Sequence, residues 1–279
     1  MQVNSKTVLV AVLFAAAASA AAFLATGQGA SGRQSVVLHA YLCSAASKAW
    51  KEIIPVFEKE TGIKVVAEYG ASGTLLAHLE MSRIGDIYAP ASPYYMRLAV
   101  ERGLVDNSTV EPVAYLVPVI LVPRGNPANI SSVYDLARPG VRVGLGNPES
   151  VAVGRYSKRM LEQLGIWGKV ERNIVVYARN IAELTSYVAS GAVDAAITWQ
   201  VNHWWYPNRT DIVWIPASIV EKTGIVYIPI GVTRFSKHPD AAKKFIDFVL
   251  HNPRALAIWK RYHYFTPQEA EEFLHGAQG

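Results

Sequence analysis

The sequence predicts an α/β protein of two lobes, each with a mixed, largely parallel sheet flanked by helices, joined by two hinge strands. Short apolar runs alternate with amphipathic segments along most of the chain, which is typical of βαβ units. A long β-rich run at 113–122 is interrupted by Pro118, and a second run spans 225–232. We expect each run to cross between the lobes, so that the cleft between them can close on a ligand.

The first part of the chain alternates between strands and helices. Strands are predicted at 36–41, 63–68 and 86–89, and helices at 47–61, 74–81 and 93–102. Gly62 and Gly103 follow two of these helices as C-terminal stops, and Ser72 is the expected N-cap of another.

The rest of the chain continues the pattern. Further strands are predicted at 141–145, 174–177, 195–199 and 212–216, and helices at 133–137, 151–164, 181–190, 240–250 and 254–262. We expect the first lobe to combine residues 33–117 with 228–279, and the second lobe to hold residues 118–227.

Residues 1–32 are predicted to be an export segment. Lys6 precedes an apolar or small-residue stretch from Thr7 to Thr26, and a Gly- and Ser-containing link follows it. This pattern is typical of a signal peptide. The stretch also reaches the roughly 20 residues that a membrane anchor needs. Both alternatives place the remaining chain outside the cytoplasm, whether secreted, periplasmic or tethered to the outer face of the membrane.

The charge pattern bears on the kind of partner. The formal net charge is +5, but the basic residues are scattered and form no run of five or more. This distribution argues against nucleic acid as a partner and is compatible with a small anionic ligand.

Catalytic and metal-binding signatures are weak. The single cysteine, Cys43, excludes a disulfide framework and a cysteine-based zinc site. A hydrolase built on Cys43 or a nearby serine would need a base, but His39 lies about 13 Å away along an extended strand. No histidine pair, P-loop or dinucleotide motif is present in the sequence. We therefore expect no enzyme activity, no cofactor and no cation site.

A set of short segments, in order, carries a family resemblance. They include Gly70-Ala71-Ser72-Gly73-Thr74-Leu75, Gly85-Asp86-Ile87-Tyr88, Val122-Pro123-Arg124-Gly125-Asn126-Pro127, Gly146-Asn147-Pro148-Glu149-Ser150-Val151 and Ser190-Gly191-Ala192-Val193-Asp194-Ala195. With these segments the chain resembles the molybdate/tungstate-binding proteins of ABC importers, which have the type II periplasmic-binding fold. The resemblance implies capture of a tetrahedral oxyanion and its delivery to a permease and its ATPase. A monomer is expected because it suits a cleft that must open and close.

The resemblance also implies a site made of hydroxyls and backbone amides. Ser72, with the amide of Gly73, matches the family's serine turn. Val153 and Ile181 match positions that offer backbone N–H groups at the starts of two helices. Helix N-termini suit this task because their first amides lack intrahelical acceptors.

Two departures from the family pattern leave alternatives open. The family's early serine aligns near Ala45, so that Ser44 or Ser47 would take its place. Trp199 stands where many members have a tyrosine, and its indole N–H could donate or simply fill space. These departures keep sulfate, an organic acid or an anchored sensor module as alternatives. The aromatic cluster His203–Tyr206 is expected to pack the lobes.

Overall fold

The computed structural model describes residues 36–276, so the predicted export segment at 1–32 lies outside the described residues. The strands are β1 (Val37–Cys43), β2 (Lys64–Gly70), β3 (Ile87–Ala89), β4 (Glu111–Leu116), β5 (Pro118–Pro123), β6 (Val143–Gly146), β7 (Ile174–Ala178), β8 (Ala195–Trp199), β9 (Thr210–Trp214) and β10 (Val226–Val232). The helices are α1 (Ser47–Thr61), α2 (Ser72–Ser82), α3 (Pro93–Glu101), α4 (Ala152–Gln163), α5 (Trp167–Glu171), α6 (Ile181–Ala189), α7 (Ala217–Thr223), α8 (Pro239–His251), α9 (Pro253–Arg261) and α10 (Pro267–Gly276). Short 3-10 turns lie at Ser44–Ala46, Asn107–Thr109, Val133–Ala137 and Gln200–Trp205.

The strands form two five-stranded sheets, with the orders β2-β1-β3-β10-β4 and β7-β6-β8-β5-β9. In the first sheet β1 runs parallel to β2 and β3, and β10 runs antiparallel to β3 and β4. The second sheet repeats this arrangement, with β6 parallel to β7 and β8, and β5 antiparallel to β8 and β9. Helices α1, α2, α3 and α8 pack on the first sheet, and α4 and α6 on the second. The predicted two-lobed α/β class is confirmed, and each lobe is one sheet with its helices.

The β-rich run at 113–122 passes from one sheet to the other. β4 ends at Leu116 in the first sheet, and β5 begins at Pro118 in the second, so Val117 is the crossing residue. The chain returns from the second sheet to the first just before β10. The first residue of β10, Val226, pairs with Leu116 at the end of β4. The two crossings therefore lie side by side. Each lobe can then move against the other with changes in a few adjacent residues.

Helix α1 shows how the first lobe is held together. Its apolar residues recur at the spacing of one helix face, and that face is buried. Trp50 packs edge-on against Trp259 at 4.8 Å between ring centroids, and Phe57 against Phe245 at 4.9 Å. The helix ends, as predicted, at Gly62, which has a left-handed φ of 72° that favours glycine.

Several predicted boundaries differ from the structure. The strand predicted at 212–216 ends at Trp214, because Pro216 is the N-cap of α7, a helix that the sequence pattern did not predict. Segment 133–137 forms a 3-10 turn where a helix was predicted. Within residues 36–276, no helix combines the length and hydrophobicity needed to cross a membrane.

Candidate functional site

A small cavity lies where the two sheets face each other, with a volume of about 10 Å³ in this closed arrangement. Its wall consists of Cys43, Ser44, Ala45, Gly70, Ala71, Ser72, Ala91, Val151, Ala152, Val153, Ile181 and Trp199. We call it the uncharged pocket, because none of these side chains is an acid or a base that is charged at neutral pH. Five predicted site residues, Ser44, Ser72, Val153, Ile181 and Trp199, share this wall, whereas Gly73 does not line it.

Ser72 is held by two hydrogen bonds that leave its hydroxyl proton available. Its Oγ accepts from the backbone N of Ala91 at 3.0 Å, and its carbonyl O accepts from the buried hydroxyl of Tyr88 at 2.9 Å. The predicted N-cap role is wrong, because α2 begins at Ser72 itself and its N-cap is Ala71. A serine hydroxyl has one donor and two acceptor positions, so Ser72 can still donate to an anion.

The structure distinguishes the two candidate serines near β1. Ser44 follows β1 directly, opens a 3-10 turn and lies in the wall of the pocket. Ser47 is the first residue of α1 and does not line it. No residue between 36 and 276 hydrogen-bonds to the Ser44 hydroxyl, which is therefore a second donor for a ligand.

Two helices of the second lobe begin at the pocket. The first backbone hydrogen bond of α4 runs from Arg155 N to Val151 O, so the amide of Val153 precedes the helical ladder. In α6 the side chain of Asn180 caps Glu183 N at 2.9 Å, and the amide of Ile181 lies before that capped position. These leading amides lack intrahelical acceptors and lie at the positive end of each helix dipole.

The close approach of α4 to the end of β6 depends on glycine. A Cβ atom at Gly154 would lie 2.0 Å from the carbonyl O of Gly146, which no side chain tolerates. Gly154 thus lets the N-terminus of α4 contact the sheet edge. That contact brings Val153 to the wall of the pocket.

Gly73 contributes a contact between the lobes. Its backbone N donates to Ser150 O at 2.9 Å, and a Cβ at this position would lie 2.9 Å from Ser150 Cα. Nearby, the hydroxyl of Tyr95 donates to Glu149 O at 3.2 Å. The amide of Gly73 is therefore engaged across the cleft, and a ligand contact of Gly73 stays a prediction. These bonds hold the lobes in a closed arrangement.

Trp199 closes the pocket at the end of β8. Its side chain is buried, and its ring meets Tyr156 at 5.4 Å between centroids, inclined by 62°. The backbone N of Trp199 donates to Asn202 Oδ1 at 3.0 Å. The indole thus forms a fixed wall between the pocket and Tyr156.

Cys43 is a neutral part of this wall. Complete burial raises the pKa of its thiol to about 12. His39 is exposed at a separate position on β1. A buried thiol that stays protonated at neutral pH is a poor nucleophile. The hydrolase alternative therefore loses Cys43 as its candidate nucleophile.

The aromatic cluster His203–Tyr206 packs against α1 and against the segment that follows α9. Trp204 stacks on His263 with ring centroids 3.9 Å apart. Lys48 in α1 donates to the carbonyl O of Trp205 at 3.3 Å and lies 5.7 Å from its ring centroid. Burial lowers the pKa of His263 and of Lys48.

Residues 36–276 contain no group of three or more His, Cys, Asp or Glu side chains able to hold a metal ion.

Two facing lobes, paired crossings and a pocket of hydroxyl and amide donors between the lobes are typical of a solute-binding protein. The family model of bacterial extracellular solute-binding proteins matches residues 38–265, and the chain belongs to this family.

Three similar proteins illustrate the range of the family. A Haemophilus influenzae protein whose name states binding but no ligand is 28% identical over 215 residues, which is 77% of this chain and 85% of that protein. The molybdate-binding protein ModA of Escherichia coli is 24% identical over 256 residues, covering 90% and 95%. The sulfate-binding protein SubI of Mycobacterium tuberculosis has a solved structure that shares the fold, with a TM-score of 0.75, 18% identity and coverage of 88% and 92%. The chain is thus an extracellular solute-binding protein that is similar in sequence to ModA and shares its fold with SubI.

Proposed function

We propose that the protein captures molybdate or tungstate in the uncharged pocket and delivers it to an ABC permease and its ATPase. The observation that carries this proposal is the chemistry of the wall, where two serine hydroxyls and leading helix amides converge without any charged side chain. Ser44, Ser72, Val153 and Ile181 would donate to the anion. Trp199 would close the pocket, with its indole N–H as a further donor.

Backbone amides donate hydrogen bonds and cannot accept them, so they favour a fully deprotonated oxyanion. A hydroxyl or amide N–H satisfies an anionic oxygen, but a protonated oxygen also needs an acceptor. Hydrogen phosphate carries a proton at neutral pH, whereas molybdate, tungstate and sulfate do not. The pocket should therefore discriminate against phosphate by chemistry and against sulfate only by size.

The choice among deprotonated anions rests on the relatives and on Trp199. Molybdate is supported by the Escherichia coli relative, which is a molybdate-binding protein, and sulfate is the alternative because the fold is shared with the sulfate-binding protein SubI. An organic acid is the other alternative, because Trp199 replaces a polar tyrosine of the resembled family. Export through residues 1–32 and a monomeric state stay predictions.

A thermal-shift series with molybdate, tungstate, sulfate and phosphate tests the proposal. A ligand that binds only the folded state stabilises it by about 4 kcal/mol at a thousandfold excess over Kd. We expect large shifts with molybdate and tungstate, a smaller one with sulfate and the smallest with phosphate. A larger shift with sulfate than with molybdate would replace the proposed ligand by sulfate. No shift with any of the four anions would contradict an oxyanion function.

A further inference from the structure

A second concave site lies beside the uncharged pocket. It is a groove of about 530 Å³ between α3 of the first lobe and α4 of the second, bounded by the returning segment 223–226. Among the described residues it shares only Ala152 with the uncharged pocket. Its volume lies within the range of small-molecule sites. Because both lobes line it, the groove is complete only in the closed arrangement.

The groove carries an excess of positive charge that is not neutralised locally. Its lining contains four cationic side chains and two carboxylates: Arg97, Arg155, Lys158, Arg159, Glu149 and Glu162. Arg97 pairs with Glu101 at 3.8 Å, and Lys158 pairs with Glu162 at 3.9 Å. Arg155 and Arg159 form no ion pair or hydrogen bond through their side chains with any residue in the range 36–276. Two free guanidinium groups on adjacent turns of α4 suit a ligand with two negative charges.

Arg155 is fixed in place across the cleft. Its Cζ lies 3.6 Å from the ring centroid of Tyr94, a residue of α3. A guanidinium stacked on an aromatic face keeps its in-plane N–H donors for bidentate recognition of an anion. The stack therefore holds Arg155 ready for a ligand and joins the two lobes at the groove.

Tyr156 provides an independent sign of a missing partner. It lines the groove and is 8% exposed. Its hydroxyl is buried and has no hydrogen-bond partner among the described residues. The neighbouring hydroxyl of Thr223, also in the lining, donates to Gln163 at 2.8 Å. A buried hydroxyl without a partner costs free energy, and a small movement of Tyr156 towards an acceptor in the groove would recover it.

We propose that the groove binds the phosphate group of a small phosphate monoester, at a site separate from the uncharged pocket. Arg155 and Arg159 hold the dianionic phosphate, Tyr156 donates to one of its oxygens, and the remaining volume accepts the organic part. A bound ester contacts both lobes and stabilises the closed form. By linkage it raises the affinity of the uncharged pocket for its ligand, and that ligand raises the affinity of the groove by the same factor.

Isothermal titration with glycerol 3-phosphate tests this proposal. We expect the wild-type protein to bind it, and the exposed double variant Arg155→Gln/Arg159→Gln to bind at least tenfold more weakly. The matched control is Arg172→Gln/Arg209→Gln, which removes two exposed arginines of the second lobe outside the groove and should change Kd less than twofold. Tyr156→Phe should weaken binding several-fold. Added salt should weaken wild-type binding more than that of the Arg155/Arg159 variant.

Three results would overturn the proposal. The first is no binding of glycerol 3-phosphate by the wild-type protein at 10 mM. The second is undiminished binding by the Arg155/Arg159 variant together with loss in Ser72→Ala, which would place the phosphate in the uncharged pocket. The third is binding of an Asp- and Glu-rich peptide in place of the ester, which would make the groove a protein-docking surface. Molybdate titrations on the same samples are read separately, so this proposal and the proposed function fail independently.

Discussion

Gln200 forms hydrogen bonds with the crossing residue Val117 through both its side chain and its backbone. The Oε1 atom of Gln200 accepts from Val117 N at 2.7 Å, and Gln200 N donates to Val117 O at 2.9 Å. The Nε2 atom of Gln200 also reaches the carbonyl oxygens of Tyr115 and His263, at 3.4 and 3.3 Å. Gln200 is buried. It therefore satisfies the backbone polar groups at the point where the chain leaves one sheet for the other.

Replacing Gln200 by alanine should destabilise the protein. The change leaves the buried N–H of Val117 without its acceptor, which typically costs about 1–3 kcal/mol. Urea unfolding measures the free energy of unfolding directly. The control is Gln268→Ala, an exposed glutamine, which should lie within about 0.5 kcal/mol of wild type. Equal stability of the two variants would show that Gln200 does not support the crossing.

Replacing Ser72 by alanine should weaken anion binding. Hydrogen bonds to charged groups contribute about 1.5–3 kcal/mol, which corresponds to a loss of roughly 10- to 100-fold in affinity. Calorimetric titration with molybdate measures this loss. Ser82→Ala, at the exposed end of the same helix, is the control and should bind as wild type does. Unchanged affinity in Ser72→Ala would remove this hydroxyl from the site.

Replacing Gly73 by alanine should oppose closure of the lobes. The added Cβ would approach Ser150 Cα to 2.9 Å, which is shorter than real contacts allow. We expect molybdate affinity to fall at least tenfold while the melting temperature without ligand changes little. Gly168→Ala is the matched control, because a Cβ there meets no atom within 4 Å. A melting temperature that falls while affinity is retained would contradict the closure role.

The buried thiol of Cys43 should make the protein less stable in alkali. Its pKa is raised from 9.0 to about 12, so above pH 9 the unfolded chain loses this proton while the folded protein keeps it. Stability is therefore full below pH 9 and declines as the pH rises towards 12, by roughly 1 kcal/mol at pH 10. Urea unfolding at pH 8, 9 and 10 should show a shallower decline for Cys43→Ala than for wild type. Parallel declines would contradict this contribution.

Much of the fold could be predicted because its signals are local. Pro118 interrupts a β-rich run, and the structure changes sheets at that interruption. Ser44 and Ser72 follow apolar strands, so both lie at strand ends, where the pocket forms. Helix starts near residues 152 and 181 are visible in the same way, whereas the choice of Val153 and Ile181 as amide donors came from the family resemblance.

Features that depend on distant pairs were missed. Nothing near Gly73 in the sequence indicates that Ser150 lies against it, because that contact depends on how the lobes meet. In the sequence Gln200 is an ordinary polar residue after a strand, although in the structure it hydrogen-bonds to Val117, where the chain crosses between the sheets. The charged groove arises only when α3 and α4 come together, so its arginines read as scattered surface charge. A buried tyrosine without a partner, such as Tyr156, has no signature in a single sequence.

The most direct test of the central claim is a crystal structure with tungstate, located by its anomalous signal. We predict one strong peak within hydrogen-bonding distance of the hydroxyls of Ser44 and Ser72 and of the amides of Val153 and Ile181. A peak between Arg155 and Arg159, with the uncharged pocket empty, would contradict the claim that neutral donors capture the oxyanion.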